Sequence, residues 1–325
     1  MMNRILVTGG SGFLGQRLLY LLSKKDVLIR STYLNTIPTQ KKNPSIDVEW
    51  RRYNVLDNSD VGDLLKDVDV VIHLAGMAHT KKNDEQTTIK FKEVNANGTE
   101  LLARKAAINK VKQFIYISSI KVNGQSTSGI NTPEIFREND SINTTDPYAA
   151  SKYSGECKLI DVCNNTNMKY TIFRPTLIFG PGVKANFLNL IKLVDVGVPL
   201  PFSKVDNCRS MIYVDNLCDA IYTSIKHDNA ENKLFLIKDV DVSTAKLIRS
   251  LALVLNKSPR LFSFPVSILR KLCVLFGNEM LYEKLLGSLV VDDSLLRQEL
   301  NWSPPIEFME AIKETITWHK SNKGI

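Results

Sequence analysis

Residues 8–15 read Thr-Gly-Gly-Ser-Gly-Phe-Leu-Gly, and this stretch decides the fold. It follows an apolar run at residues 4–8, which predicts a buried strand, and it opens a helical pattern that continues to about Leu22. Glycines at this spacing let the backbone approach a pyrophosphate, which then binds at the N-terminus of the helix. The stretch therefore predicts a dinucleotide-binding turn; a tight turn whose glycines serve packing is the alternative.

Apolar strands alternate with amphipathic helices through the first half of the chain. The clearest helical pattern covers residues 87–109, and further strands are predicted at 27–33, 68–74, 112–118 and 170–174. This alternation predicts an α/β fold, a Rossmann doubly wound parallel sheet with helices on both faces. Ligands of such sheets bind at the carboxyl ends of the strands, where the glycine turn, Gly76 and Ser119 fall.

Beyond residue 182 the pattern becomes irregular, with short strands and helical patterns at 243–256, 265–276 and 307–320. We expect residues 1–180 to form the dinucleotide-binding domain with the catalytic residues. Residues 181–325 are expected to form a smaller, interleaved α/β lobe that binds the substrate. The polar segment 124–145 suits a loop over a site. The apolar segment 261–276 is compatible with lying on a membrane, although a core-packed helix is the commoner explanation.

The 325 residues have the composition of a soluble globular protein, with 44% hydrophobic and 23% charged residues. The net charge of +8 is spread along the chain without a nucleic-acid-binding motif, so we expect a generic basic surface and no nucleic-acid partner. Absence of a signal peptide and of an apolar run of spanning length predicts a cytoplasmic protein. Reduced thiols, without disulfides or a metal site, are predicted for the cysteines: Cys157, Cys163, Cys208, Cys218 and Cys273.

Tyr148 and Lys152 lie four residues apart and therefore one turn apart on a predicted helix. A free phenol titrates near ~10, and an ammonium group one turn away is expected to lower the pKa of Tyr148. The pair would then transfer a proton beside a carbonyl or carbinol. Ser119, at the end of a predicted strand, adds a second hydroxyl group; taken alone, it would be a strand-end cap.

Together these residues resemble the extended short-chain dehydrogenase/reductase family, and within it the nucleotide-sugar epimerases and reductases. The resemblance covers nearly the whole chain. It implies that Tyr148 transfers a proton at the sugar oxygen and that Lys152 tunes Tyr148 and holds the nicotinamide ribose. It further implies that Ser119 hydrogen-bonds the reacting oxygen and that Asn95 orders a relay water. Hydride would pass between the nicotinamide and a sugar carbon.

The resemblance implies a nicotinamide cofactor, NADP or NAD. Asn54-Val55 stands where the family usually has an aspartate that touches adenine, and asparagine can still accept that hydrogen bond. The second strand ends without the carboxylate that binds the ribose of NAD, whereas Arg30, Lys41 and Lys42 are near enough in sequence to receive a 2′-phosphate. This slightly favours NADP. The expected cofactor-binding residues are Gly9, Gly12, Phe13, Leu14, Gly15, Arg30, Asn54, Val55, Leu74, Ala75, Gly76, Tyr148 and Lys152.

The expected substrate-binding residues are Ser119, Asn186 and Arg209. The last two match family positions that hold the diphosphate of a nucleotide sugar, and a guanidinium group suits phosphate geometry. A surface ion pair is the alternative role for Arg209. A second phosphate-binding arginine of the family has no clear counterpart, and Lys284 is the nearest basic residue. The family habit implies a homodimer.

The resemblance narrows the reaction. Dehydratases of the family have an Asp-Glu pair directly after the catalytic hydroxyl, where this chain has Ile120-Lys121, so dehydration is not expected. Residues 118–124 and 287–294 resemble a bacterial branch with reductases that form UDP-N-acetylquinovosamine from a UDP-4-keto-6-deoxy-N-acetylhexosamine for surface polysaccharide. We expect such a reductase. A UDP-glucose or UDP-N-acetylglucosamine 4-epimerase shares the same site residues and is the alternative.

Two further hypotheses are open: one concerns the class of substrate, and the other is that the protein is not an enzyme. The sugar could be lipid-linked rather than UDP-linked. The chain could also be a non-catalytic NADP-sensing protein that keeps the fold, but such proteins usually lose the tyrosine or the lysine of the pair, and Tyr148 and Lys152 are both present.

Overall fold

A seven-stranded parallel sheet lies at the centre of the protein, as the alternating pattern predicts. The computed structural model describes residues 3–37, 47–57, 61–78, 84–127, 134–142, 144–265 and 286–322, with positions 268, 271 and 275. Numbered in chain order and given in spatial order, the strands are β3 (Glu49–Arg52), β2 (Leu28–Tyr33), β1 (Arg4–Thr8), β4 (Val70–His73), β5 (Gln113–Ile117), β6 (Lys169–Pro175) and β9 (Lys233–Ile237). Every neighbouring pair is parallel. The predicted α/β fold is confirmed.

Helices cover both faces of this sheet. In chain order, and including those of the second half of the chain, the described α-helices are α1 (Phe13–Leu22), α2 (Gly62–Leu65), α3 (Glu85–Phe91), α4 (Gly98–Ile108), α5 (Pro147–Asn164), α6 (Ala185–Val196), α7 (Val214–Ser224), α8 (Thr244–Leu255), α9 (Ser294–Leu300) and α10 (Phe308–Ser321). Side chains alternate along β1, so Ile5 joins the core that contains Leu18 of α1, whereas Leu6 joins the opposite core that contains Leu102 of α4. Burial of both faces explains why the strands appear in the sequence as continuous apolar runs.

A smaller sheet and a third core belong to the second half of the chain. This sheet has the order β10 (Val240–Val242), β8 (Arg209–Tyr213), β7 (Leu177–Phe179), and β10 is antiparallel to β8. Its core is shared with α6, α8 and α10. Between β8 and β10 the chain returns to the large sheet, where β9 pairs with β6. The two predicted lobes are therefore interleaved, and a division near residue 180 stays a prediction.

Several elements differ from the sequence expectations. The helix predicted at 87–109 is a continuous run of α3, a π-helical turn (Lys92–Asn97) and α4. Strand β3 was not predicted, because Glu-Trp-Arg-Arg is polar and only half-buried, without an apolar run. The helix predicted at 265–276 lies mostly outside the described residues. The loop predicted at 124–145 falls partly outside them as well, at 128–133 and 143.

Candidate active site

The glycine turn between β1 and α1 is packed too closely to admit side chains. Gly9 has a φ of +73°, and a Cβ there would lie 2.8 Å from the amide nitrogen of Ala75. A Cβ on Gly15 would lie 2.4 Å from the carbonyl oxygen of Gly9. Gly12 is the N-cap of α1 and brings no side chain to the first amide groups of the helix. This cradle at a helix N-terminus fits the pyrophosphate of a dinucleotide.

The residues after β4 connect the glycine turn to the predicted catalytic residues. The amide nitrogen of Leu74 donates to the carbonyl oxygen of Thr8 over 3.2 Å. A Cβ on Gly76 would lie 2.9 Å from Oδ1 of Asn95 and 3.3 Å from Nζ of Lys152. The predicted cofactor segment 74–76 thus lies between the pyrophosphate cradle and the catalytic side chains.

The other predicted cofactor residues lie on either side of this cradle. Phe13 and Leu14 open α1 and pack against the core of the second half. Val55 is buried, and a Cβ on Gly98 would lie 3.0 Å from its Cγ2. Asn54 lines a cavity of about 510 Å³ beside the carboxyl ends of β2 and β3, where adenosine is expected to bind. The cavity is lined by Leu34, Arg51, Arg52, Tyr53, Asn54, Asp57, Val61, Asp63 and Leu64.

Arg30 does not reach this cavity edge. Its guanidinium group donates to Oε2 of Glu49 over 2.8 Å and to the carbonyl oxygens of Leu64 over 2.8 Å and Lys66 over 2.9 Å. Leu64 and Lys66 lie at the end of α2 and directly after it, in the connection from β3 to β4. The buried guanidinium group of Arg30 is therefore engaged by protein groups, and the expectation that it binds a 2′-phosphate stays a prediction. Lys41 and Lys42 lie outside the described residues.

Ser119, Tyr148 and Lys152 meet at the carboxyl end of β5, which agrees with the sequence prediction. Ser119 is the N-cap of a short 3₁₀ helix, Ile120–Val122, and its side chain is close enough to Tyr148 to influence the pKa of the phenol. Lys152 donates from Nζ to the carbonyl oxygen of Ile117, the last residue of β5, over 2.9 Å. Two hydroxyl groups and one ammonium group thus converge at the sheet edge that also holds the glycine turn.

The pKa of Tyr148 departs from expectation. Burial raises the pKa of Tyr148 to about 12; the nearby Ser119 side chain opposes this rise and the charge of Asp146 adds to it. The structure therefore does not show the predicted lowering of the pKa of Tyr148 by Lys152, because burial raises it. Helical spacing identifies neighbours, but it does not indicate how far the phenol is withdrawn from water.

Lys152 is buried and held in place on both sides. Burial lowers the pKa of Lys152 to about 8, and the charge of Glu156 opposes that change. The ammonium nitrogen lies 4.7 Å from the centroid of the Tyr116 ring, where a cation–π contact stabilises it. Its position is thus fixed before any ligand binds.

Asn95 is completely buried in the π-helical turn. Its Nδ2 donates to the carbonyl oxygen of Met77 over 2.9 Å and to Oγ of Ser151 over 3.0 Å, and its Oδ1 accepts from the amide nitrogen of Met77 over 2.9 Å. The side chain therefore connects the segment after β4 to α5. Irregular π-helical turns of this kind are frequent at functional sites. The ordering of a relay water by Asn95 stays a prediction.

A buried ion pair supports the catalytic helix and was missed in the sequence. Glu156 lies one turn beyond Lys152, and its Oε1 accepts from Nε of Arg174 on β6 over 2.9 Å. Nη1 of Arg174 also donates to Oδ1 of Asn123 over 2.9 Å, next to the 3₁₀ helix. A carboxylate at the same helical face as Tyr148 and Lys152 was the available signal, but its partner on β6 could not be identified from spacing.

The predicted substrate residues lie on two different elements of the second half. Asn186 is exposed in the first turn of α6. Arg209 opens β8, and its Nη1 donates to the carbonyl oxygen of Gly287 over 3.0 Å. Their roles at a diphosphate stay predictions, and Lys284 lies outside the described residues.

The fold and this constellation define an NAD(P)-dependent enzyme of the short-chain dehydrogenase/reductase class. The model of the NAD dependent epimerase/dehydratase family matches residues 5–237. The chain belongs to this family.

Named relatives and a solved structure match 79% to 98% of the chain. A UDP-glucose 4-epimerase of Vibrio cholerae is 37% identical over 315 residues, which are 96% of this chain and 94% of the relative. An N-acetyl-alpha-D-glucosaminyl-diphospho-ditrans,octacis-undecaprenol 4-epimerase of Escherichia coli O157:H7 is 27% identical over 79% of this chain and 74% of its own. The crystal structure of a UDP-glucuronic acid 4-epimerase from Bacillus cereus with NAD has the same fold, with a TM-score of 0.77, 22% identity and coverage of 98% and 99%.

Among the residues that the structure describes, no helix is both long enough and apolar enough to cross a bilayer.

Proposed function

We propose that the protein is a UDP-sugar 4-epimerase that uses NAD, acting at C4 of a UDP-linked hexose or N-acetylhexosamine. The observation that carries this proposal is the convergence of Ser119, Tyr148 and Lys152 at the same sheet edge as the glycine turn. The Vibrio cholerae relative, which matches nearly all of both chains, supports epimerisation over the reduction expected from sequence. The family description and the engagement of Arg30 elsewhere support NAD over NADP.

In this proposal, each residue of the site has a separate role in the reaction at the sugar C4 oxygen. Bound NAD supplies the acceptor, and later the donor, of the hydride at C4. Tyr148 accepts the proton of the C4 hydroxyl group when the alcohol becomes a ketone and returns it when the alcohol forms again. Ser119 donates a hydrogen bond to the ketone oxygen and so stabilises the charge that develops there. Lys152, fixed at the end of β5, is placed to hold the ribose hydroxyl groups.

Dehydration has little support in this site. Ile120 is apolar and buried, and Lys121 is a cation paired with Asp146. Neither side chain offers the carboxyl group that would remove a proton and release water from the sugar. The chemistry available is therefore hydride and proton transfer at one carbon atom.

Reduction of a UDP-4-keto-6-deoxy-N-acetylhexosamine to UDP-N-acetylquinovosamine is the second candidate. The two stretches that resemble the reductase branch extend into one contact region, since the amide nitrogen of Thr127 donates to the carbonyl oxygen of Ser288 over 2.8 Å. Arg209 contacts the neighbouring Gly287. This region therefore joins the segment after Ser119 to the predicted diphosphate residue, where it can influence the choice of sugar.

One set of assays separates the two candidates. The purified full chain is incubated with UDP-glucose, UDP-N-acetylglucosamine or UDP-4-keto-6-deoxy-N-acetylglucosamine, with NAD, NADH and NADPH in turn. An epimerase forms the C4 epimer without net change in absorbance at the nicotinamide band. A reductase consumes reduced cofactor in equal amount to a new 6-deoxy sugar seen by mass.

The same assay includes its own controls. The Tyr148→Phe protein controls for contaminating activity. Turnover of undecaprenyl-diphosphate-linked N-acetylglucosamine in detergent, without turnover of the UDP-sugars, would move the substrate to the lipid-linked class. Lack of conversion of any of these sugars would overturn the proposed function.

A further inference from the structure

One carboxylate connects the two segments that carry the catalytic hydroxyl groups. Asp146 is the N-cap of α5, and its Oδ1 accepts from the amide nitrogen of Tyr148 over 2.9 Å. Its Oδ2 accepts from Nζ of Lys121 over 3.2 Å and from Nε2 of Gln125 over 3.3 Å. Lys121 in turn donates from its amide nitrogen to Oγ of Ser119 over 3.3 Å. Asp146 therefore ties the start of the helix that bears Tyr148 to the turn that presents Ser119.

Lys121 also brings a positive charge close to the reacting phenol. Its Nζ lies 5.4 Å from the centroid of the Tyr148 ring. Asp146 acts in the opposite sense, since its charge adds to the rise that burial produces in the pKa of Tyr148. The other titratable neighbours are Tyr116 on β5 and Lys152 on α5, while α3 contributes the uncharged ring of Phe91.

We propose that Lys121 is a positioning residue for Tyr148 and acts through its ion pair with Asp146. The inference rests on the proposed function, because it takes Tyr148 as the group that transfers the proton. The ion pair holds the Ser119 turn against the start of α5, and the cation offsets the negative charge beside the phenol.

The expected effect of the Lys121 charge on the pKa of Tyr148 is moderate. The side chain of Lys121 is 40% exposed and that of Asp146 is 15% exposed, so water screens their interaction in part. A change of half to one unit in the pKa of Tyr148 corresponds to roughly threefold to tenfold in the fraction of phenolate below that pKa. We expect effects on turnover of that size.

Charge removal on either side of the pair should shift the pH profile of kcat in opposite directions. Lys121→Met leaves the carboxylate without its cation, so turnover at pH 8 should fall roughly threefold to tenfold and the acidic limb should move to higher pH. Asp146→Asn keeps an oxygen that can cap α5 and removes the negative charge, so the acidic limb should move to lower pH. Lys121→Arg should restore the wild-type profile, because it keeps the charge.

A titration without substrate separates this inference from the proposed function. Full-length protein labelled with ¹³C at tyrosine Cζ is followed by NMR from pH 7 to 11 with NAD, and the Tyr148 signal is assigned by its loss in Tyr148→Phe. The Tyr148 signal should begin to shift at higher pH in Lys121→Met and at lower pH in Asp146→Asn. Failure to turn over any UDP-sugar would sink the proposed function but leave this measurement intact.

Control variants distinguish a charge effect on Tyr148 from a general disturbance of the structure. Lys158 lies on α5, as Tyr148 does, and pairs with Glu100 on α4. Lys158→Met removes this ion pair and should leave the Tyr148 signal unchanged. Thermal unfolding identifies variants that do not fold, and Lys121→Gln replaces the methionine variant in that case. Equal titrations in all folded variants, or shifts in the same direction for Lys121→Met and Asp146→Asn, would overturn the inference. Lost turnover with an unchanged titration would overturn it as well.

Discussion

Neutralising Glu156 should destabilise the protein far more than neutralising an exposed carboxylate. Glu156 accepts two hydrogen bonds from Arg174, at 2.9 Å and 2.5 Å, and the two side chains are 1% and 3% exposed. In Glu156→Gln the guanidinium group keeps its charge in the interior, where the new amide and that of Asn123 would be neutral partners. Removing one member of a buried pair costs about 3–5 kcal/mol, because the other charge is left uncompensated. We expect a loss of that size in the free energy of unfolding.

Urea unfolding at 25 °C measures this loss, with two variants as references. Glu231→Gln breaks a pair with Lys169 whose side chains are 42% and 44% exposed, so it should cost about 0–1 kcal/mol. Glu156→Leu combined with Arg174→Met removes both buried charges and should recover much of the stability lost in Glu156→Gln. If Glu156→Gln costs no more stability than Glu231→Gln, the reasoning is refuted. Such a result would mean that loss of the Glu156 carboxylate does not leave an uncompensated charge on Arg174 in the interior.

Three more perturbations test the site and its surroundings. Tyr148→Phe should lower turnover by more than about 100-fold while calorimetry finds NAD affinity nearly unchanged, and retained turnover would exclude Tyr148 from the chemistry. Gly15→Ala would place a Cβ 2.4 Å from the carbonyl oxygen of Gly9, so calorimetry should find NAD binding at least about tenfold weaker, and unchanged affinity would contradict the cradle. Burial raises the pKa of Asp239 to about 7, above its unfolded value near ~3.9, so its contribution to stability is complete below about pH 4 and is lost as pH rises through 7. The melting temperature of Asp239→Asn should therefore fall less than that of the wild-type protein between pH 6 and pH 8. An equal fall in both proteins would assign the titration to another group.

The strands that could be predicted share one property, burial on both faces. β1, β4 and β5 are short apolar runs between helices; β1 has the predicted bounds, and those of β4 and β5 differ from the prediction by one or two residues at each end. Strand β3 pairs with β2 although its sequence is Glu-Trp-Arg-Arg, because an edge strand needs only backbone partners on one side. β9 is apolar, but its place beside β6 depends on a long connection, residues 176–232, that includes β7, α6, β8 and α7. Local sequence carries no information about such a long connection.

The site residues that could be predicted are those whose chemistry depends on spacing. The glycine turn and the Tyr148–Lys152 pair are local patterns, and both are assembled as expected. Proximity to a strand end does not fix the direction of the Arg30 side chain, whose partners are the carbonyl oxygens of Leu64 and Lys66, so its binding of a 2′-phosphate stays a prediction. The pair of Lys121 with Asp146 could not be foreseen, since the two residues are 25 positions apart and no local pattern relates them.

The two lysines near Tyr148 are therefore not equivalent, although sequence spacing singled out only one of them. Lys152 is buried, and burial lowers its pKa to about 8, so its positive charge is partly lost in mildly alkaline solution. Lys121 lies over the phenol ring, where its ammonium group is partly hydrated and is paired with a carboxylate. Lys152 is thus suited to hold hydroxyl groups of a bound cofactor. Lys121 is suited to supply the charge that makes proton acceptance by Tyr148 less costly.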